Sequence, residues 1–264
     1  MRYDIDSLEN RDLGFIDRLL WFVERVIVPY HRAEVHGIER IPAGPALYVG
    51  NHNALAYTPD SFIFGAAAFR AHGIGAMPYG LGHELAISLP LVHELVVPLG
   101  AVRASHDNAM RIFAEGHKVL VYPGGDFDAM RPFRHRDRIV FGGRRGYVRL
   151  ALRAGVPIVP IVAQGAQSTL VVIDDLRWLP RLTGLDRLLR VKVWPICLAM
   201  PWGLVALPMF PYLPFPSKIR IEVMEPVRFE RTGDDAAADE DYVAGCATRV
   251  ETAMQETLTR LAAR

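Results

Sequence analysis

Cysteine is scarce in this chain. Cys197 and Cys246 are the only two among 264 residues, and their spacing suits no metal site, so a disulfide framework is not indicated and a reducing compartment fits better. Charge of one sign is lacking as well. Thirty Lys and Arg stand against 29 Asp and Glu, a formal net charge of +1, which gives no global attraction to nucleic acid. The opening stretch to Asn10 carries several acids and no apolar run, unlike a secretory signal peptide. No G-x-S-x-G turn is present to expose a serine nucleophile. His83-Glu84 and His93-Glu94 invite a zinc reading, but neither pair has the second histidine of H-E-x-x-H, and no metal is expected.

What the chain has in quantity is apolar surface. Hydrophobic residues make up 51% and charged residues 22%, enough for one large α/β domain and too much for disorder. Over Phe15–Tyr30, Ile16, Leu19, Leu20, Val23, Val26 and Ile27 recur at helical spacing, while Asp17, Arg18, Glu24 and Arg25 take the other face. That spacing predicts an amphipathic helix ended by Pro29, packed on the core or lying in a membrane interface. The second apolar stretch, Trp194–Pro216, is free of charge and long enough to span a bilayer. It holds Pro195, Pro201, Pro208, Pro211, Pro214 and Pro216, and an interior proline costs a helix about 3 kcal/mol. A transmembrane helix is therefore rejected in favour of a membrane-facing or tunnel-lining loop, or a buried irregular segment.

Strand and helix signals alternate along the rest. Ala46–Gly50, Lys118–Tyr122, Val156–Ala163 and Ile219–Met224 read as buried strands, with a shorter one within Glu94–Arg103. Helices are expected over Pro59–His72, from Ser105 or His106 to Glu115, over Arg144–Ala154 closed by Gly155, and over Asp239–Leu261. The alternation predicts a largely parallel or mixed sheet covered by helices in a single α/β domain over 35–264, preceded by the amphipathic segment at 1–34.

In such a sheet, sites collect at the carboxyl ends of strands. Two polar clusters fall there: Asn51-His52-Asn53 with Pro59-Asp60 beyond, and Tyr122-Pro123-Gly124-Gly125-Asp126-Phe127-Asp128. A histidine past a strand, with an aspartate opening the next helix, is the pattern of a general base and its orienter. The carboxylate fixes the tautomer and leaves the other nitrogen to take a hydroxyl proton. Without a serine elbow, attack by an acceptor hydroxyl is favoured over an acyl-enzyme. Asp126 or Asp128 offers a further acid. Arg131, Arg134, Arg136, Arg138, Arg144 and Arg145 crowd the segment after the glycine pair, forming a solvated face or a seat for donor phosphates or anionic headgroups.

Four blocks in order, Val49-Gly50-Asn51-His52 with Asp60, Gly100-Ala101-Val102-Arg103, Val121-Tyr122-Pro123-Gly124-Gly125 and Val156-Pro157-Ile158-Val159-Pro160, resemble the glycerolipid acyltransferases, over roughly Val35–Pro226. The family includes the lysophosphatidic acid acyltransferases. The resemblance implies that His52 deprotonates the acceptor hydroxyl and that Arg103 contacts an acceptor phosphate. The family's base and aspartate are separated by four residues, whereas seven lie between His52 and Asp60. The third block lacks the family's Glu-Gly-Thr-Arg, and its glycine pair is similar to the diacylglycerol acyltransferase branch. The resemblance thus implies an O-acyltransferase that takes acyl-CoA or acyl carrier protein as donor, needs no cofactor, and acts on a lysophospholipid or acylglycerol. It would sit at the cytoplasmic side of a membrane surface as a peripheral protein. Catalysis falls to His52 and Asp60, and substrate binding to Arg103, Gly124, Gly125, Asp126, Arg131 and Arg134. A non-catalytic lipid-binding protein on the same fold, or an acyl thioester hydrolase, stands as the alternative.

Overall fold

The structure, a computed structural model, describes residues 2–55, 57–184, 193–206 and 212–264. Seven strands form the main sheet: β1 (Glu34–His36), β2 (Ala46–Gly50), β3 (Tyr79–Gly82), β4 (Ala101–Arg103), β5 (Lys118–Val121), β6 (Ile158–Gln164) and, late in the chain, Arg220–Val223. Their spatial order is β1, Arg220–Val223, β6, β2, β5, β3, β4. The run from β6 to β4 is parallel throughout, and Arg220–Val223 is antiparallel to β6 and parallel to β1. The sheet is therefore mixed, with a parallel centre.

Alternation along the strands separates two cores. Leu47, Val49, Val119, Ile158 and Val162 face one way, onto helices Gly146–Ala154 and Glu240–Ala262. Ala46, Tyr48, Val159, Ile161 and Ala163 face the other, with Ile63 and Phe64 of helix Pro59–His72. Asp239 caps the last helix by accepting from the Tyr242 amide at 3.0 Å, and the helix buries Val243, Val250, Met254 and Leu258 along one stripe. Pro160 lies inside β6 without penalty. Its carbonyl accepts from the Met224 amide on the antiparallel side, so its missing N–H faces the same side. Regular pairing there has stopped at Ile161–Val223 and returns only as an isolated bridge at Ile158–Val227.

The N-terminal helix runs over Leu13–Phe22, passes through a π turn at Val23–Ile27, and closes over Val28–Tyr30. The wider turn accommodates Pro29, which has no amide for the ladder. Ile16, Leu20, Val23 and Ile27 join the second core, while Trp21, Phe22, Val26 and Tyr30 stay exposed. Packing and exposure of apolar residues thus occur on one helix.

One expectation is narrowed and one changes. Within Glu94–Arg103 only Ala101–Arg103 is a strand. Glu94–Val96 ends a helix begun at Pro90, a favourable first helical position. The Trp194–Pro216 segment is less irregular than its prolines suggest. Residues 207–211 lie outside the described residues. Before them, β8 (Ile196–Ala199) and β9 (Gly203–Ala206) form a hairpin that pairs with β7 (Val171–Asp174) in a second, three-stranded sheet. Pro195 precedes β8 and Pro201 lies in the turn, so neither removes a ladder amide. No helix among the described residues is long and apolar enough to cross a membrane.

Candidate active site

β2 ends at Gly50, and the next three residues are pinned by side chains. Asn51 holds β6: its Oδ1 accepts from the Ala163 amide and its Nδ2 donates to the Ala163 carbonyl, both at 2.9 Å. Asn53 folds back, donating from Nδ2 to the Asn51 carbonyl at 3.1 Å and to Asp60 Oδ2 at 2.7 Å. Between them, the His52 ring lies tilted on Tyr122, with centroids 4.8 Å apart. Gly50 is required by that contact, because a Cβ there would come within 2.6 Å of the Tyr122 ring. Tyr122 in turn hydrogen-bonds Ser61 through its hydroxyl at 2.6 Å.

His52 Nδ1 is buried with no hydrogen-bond partner. Burial, aided by the nearby Arg131 cation, pushes the imidazole pKa down to about 4. The ring is therefore neutral at physiological pH, which is the form a base must have. Asp60 is buried in the first turn of its helix, and burial raises its pKa to about 6. Its Oδ2 is engaged by Asn53, and its Oδ1 has no partner. The structure brings both residues to the same strand end but forms no hydrogen bond between them. The segment joining them is contorted: Ala54, Leu55 and Thr58 all have positive φ, a conformation that non-glycine residues adopt at a cost of roughly 1 kcal/mol or more each.

The second cluster packs under the first. Gly124 allows close approach, since a Cβ there would come within 2.4 Å of Asp128 Cβ and 2.5 Å of the Val140 carbonyl. Gly125 has φ +48, and its amide donates to the Tyr122 carbonyl at 3.0 Å. Asp126 pairs with Arg144 at 2.6 Å, and Arg144 also donates to the Gly124 carbonyl at 2.9 Å. Asp128 is fully buried and accepts from the His52 amide at 2.7 Å and the Val140 amide at 3.2 Å.

Arg131 departs most from its expected place. Read as a ligand for substrate, it is instead 1% exposed, with its guanidinium consumed by protein acceptors that include the His52 carbonyl, Asn53 Oδ1, Asp128 and the Arg136 carbonyl. Arg103 and Arg134 lie on the surface. Arg103 forms a fork on Asp6 and reaches Glu84 at 3.6 Å. Arg134 lies against the Ile173 carbonyl and Asp174. Asp128 was legible only as a turn acid, and its bond to the backbone of His52 left no mark in the sequence. A cavity of about 380 Å³ opens beyond β5, lined by Leu81, His106, Val121, Arg144, Tyr147 and Leu150. His83 and His93 serve structural roles: His83 caps the Leu85 amide, and His93 bonds the Tyr3 amide and the Ile87 carbonyl. No cluster of three or more metal-capable side chains occurs among the described residues.

The site thus sets His52 past a central parallel strand, with an acid at the head of the next helix and a glycine pair past the neighbouring strand. A family model described as Acyltransferase matches residues 32–164, half of the chain. The chain belongs to the Acyltransferase family. An uncharacterized protein of Mycobacterium tuberculosis is 33% identical over 238 residues, covering 89% of this chain and 63% of the relative. The human DGAT1/2-independent enzyme synthesizing storage lipids is 30% identical over 140 residues, covering 53% of this chain and 42% of that protein. The chain thus spans less than two thirds of the length of these relatives. The crystal structure of the 1-acyl-sn-glycerophosphate (LPA) acyltransferase PlsC from Thermotoga maritima superposes with a TM-score of 0.59 at 17% identity, covering 94% of this chain and 80% of that one, a likeness of fold.

Proposed function

We propose that the chain moves a fatty acyl group from a thioester, acyl-CoA or acyl carrier protein, to the hydroxyl of an acylglycerol or lysophospholipid at a membrane surface. The observation that carries this reading is His52: a neutral imidazole at the carboxyl end of a central strand, in a chain of this family. The imidazole takes the hydroxyl proton as the oxygen attacks the thioester carbonyl. The tetrahedral intermediate then collapses, the C–S bond breaks, and the thiolate leaves with the proton returned by the imidazolium. An ester and a free thiol result, with no acyl-enzyme. Asp60 does not bond the ring; it holds Asn53, the residue next to His52.

The absence of the Thr-Arg pair after Gly124-Gly125 favours a neutral acylglycerol acceptor, as does the storage-lipid synthesis named for the human relative. Arg103 keeps a phosphate-bearing acceptor open, but only if that phosphate displaces Asp6. The cavity beyond β5, apolar at Leu81, Val121 and Leu150 with Arg144 beside them, suits the donor. Peripheral attachment is supported by the exposed Trp21, Phe22, Val26, Trp202 and Leu204.

The missing His52–Asp60 bond favours a second reading, a lipid-binding protein without turnover. Radiolabelled long-chain acyl-CoA and acyl carrier protein, offered with diacylglycerol, monoacylglycerol or lysophosphatidic acid, separate the two. Labelled lipid product that disappears in His52→Ala supports transfer. Lipid binding without product supports the second reading, and release of free fatty acid alone points to hydrolysis.

A further inference from the structure

His52 is unusual in what does not hold it. Its buried Nδ1 has no partner, and the acid at the head of the next helix is bonded to Asn53 rather than to the ring. The imidazole is placed by its backbone and by the face of Tyr122. The backbone just beyond it passes through the left-handed residues Ala54, Leu55 and Thr58, so local conformational preference does not fix it there. Something must hold the two peptide groups of His52, and one ion pair does so from both sides.

Asp128 Oδ2 accepts the His52 amide at 2.7 Å, and Arg131 Nη1 donates to the His52 carbonyl at 2.7 Å. The two side chains bond each other at 3.0 Å, and both are buried, 0% and 1% exposed. Arg131 Nη2 continues to Asn53 Oδ1 at 2.6 Å, and Asn53 Nδ2 continues to Asp60 Oδ2. The pair is anchored at its back, where Asp128 Oδ1 accepts the Val140 amide and Arg131 donates to the Arg136 carbonyl. Every hydrogen bond of the Asp128 carboxyl is one that it accepts, the pattern of an ionised carboxylate. The planar fork of Arg131 serves His52 with one nitrogen and Asn53 with the other, a geometry that lysine does not reproduce.

We infer that Asp128 and Arg131 are positioning residues for the reaction: a buried ion pair that clamps the peptide groups on either side of His52, so that an acid acting on the backbone supplies the orientation that an acid usually gives to the ring. The same clamp carries the first turn of the Pro59 helix, through Asn53, and the loop that follows the glycine pair. This inference rests on His52 being the base, as proposed above.

The test uses the full chain with radiolabelled palmitoyl-CoA and diacylglycerol, in Asp128→Asn and Arg131→Lys. Circular dichroism and thermal melts set a temperature at which each variant is folded. A displaced general base loses about 10²-fold in rate, so kcat should fall about 100-fold in Asp128→Asn and at least tenfold in Arg131→Lys, with KM within threefold of wild type. The imidazole resonances assigned to His52 by their loss in His52→Ala should shift in both variants. Should Asp128→Asn fail to fold, Arg131→Lys, which keeps the charge and loses only the fork, decides alone. A folded variant that keeps kcat within threefold of wild type, or that loses kcat only in proportion to its folded fraction, overturns the clamp. Full activity in His52→Ala would instead overturn the assignment of the base and leave the clamp without a reaction to serve.

Discussion

Two sets of arginine–aspartate pairs lie along the carboxyl edge of the main sheet, and they differ in almost every respect but composition. Asp128–Arg131 is sealed beneath His52, with each polar atom spoken for. Arg103–Asp6, Arg144–Asp126 and Arg134–Asp174 sit at the surface with side chains roughly a third to two thirds exposed. An exposed pair contributes about 0–1 kcal/mol and yields to salt or to a competing phosphate. A buried pair cannot be separated without stranding a charge in the interior, which costs about 3–5 kcal/mol. The inner pair is therefore built for position, and the outer pairs are the ones that a ligand can displace.

The largest effect expected from this contrast is on stability. Arg131→Leu should lower the free energy of unfolding by about 3–5 kcal/mol, because Asp128 and Asn53 lose their donor inside the protein. Arg134→Leu should change it by less than about 1 kcal/mol. Denaturant unfolding of both variants, at low and at moderate salt, checks the comparison. Equal losses in the two would mean that burial does not separate the pairs.

How much of this was legible in the sequence depends on the same division. The strands β2, β5 and β6 and helix Pro59–His72 were readable because continuous apolar runs and Pro59 report local preference and burial. His52 and Asp60 were readable as polar residues at a strand end. Arg131 was not, since a run of arginines looks like a solvated face whichever member turns inward, and only long-range packing selects one. The hairpin of β8 and β9 was hidden for another reason. Prolines at 195 and 201 argue against a helix, yet they fall just outside the strands they flank, and sequence alone does not give the register that spares the ladder.

A smaller effect concerns the two buried acids. Asp60 has a folded pKa of about 6, above its unfolded value of about 3.9. The native state thus binds the proton more tightly than the unfolded state, and stability falls as pH rises from about 4 through 6. Asp60→Asn removes that loss. It should gain about 2–3 kcal/mol over wild type at pH 8, an upper bound if water reaches the carboxyl, and the gain should close below pH 4. The rate should move the opposite way: Asp128 is also buried, with its pKa raised to about 6, and the clamp needs it ionised, so the acid limb of the rate profile should fall near pH 6 in wild type and stay there in Asp60→Asn. Paired urea titrations at pH 4 and pH 8 read the first, and the pH dependence of kcat/KM reads the second. A variant no more stable than wild type at pH 8 would mean that the Asp60 carboxyl is solvated in the native state and its pKa is not raised.

The mildest change is expected at the three-stranded sheet, which is apolar on both faces. Val172 and Cys197 pack inward with Leu170 and Ala54, two residues past His52, and Tyr212 donates to the Ala54 carbonyl at 2.7 Å. On the outer face Leu198 pairs across the hairpin with Leu204, which is 67% exposed, and Trp202 at the turn is 57% exposed. Tyr30, on the exposed stripe of the N-terminal helix, donates to the Pro214 carbonyl at 2.6 Å, so the helix and the segment after the hairpin meet. An outward apolar face flanked by tryptophan suits the headgroup level of a bilayer. Removing two partly inserted side chains forfeits about 1 kcal/mol each, less than the 1.5–3 kcal/mol of full burial. The double variant Trp202→Ser, Leu204→Ser should therefore bind phosphatidylcholine–phosphatidylglycerol vesicles roughly 30-fold more weakly, since 1.4 kcal/mol is tenfold, with its thermal midpoint little changed. Flotation at low and moderate salt measures this. Unchanged binding would assign attachment to the helix stripe of Trp21, Phe22 and Val26. Binding that vanishes with salt in the wild type would assign it to the arginines beyond Gly125, and the hairpin would then face water.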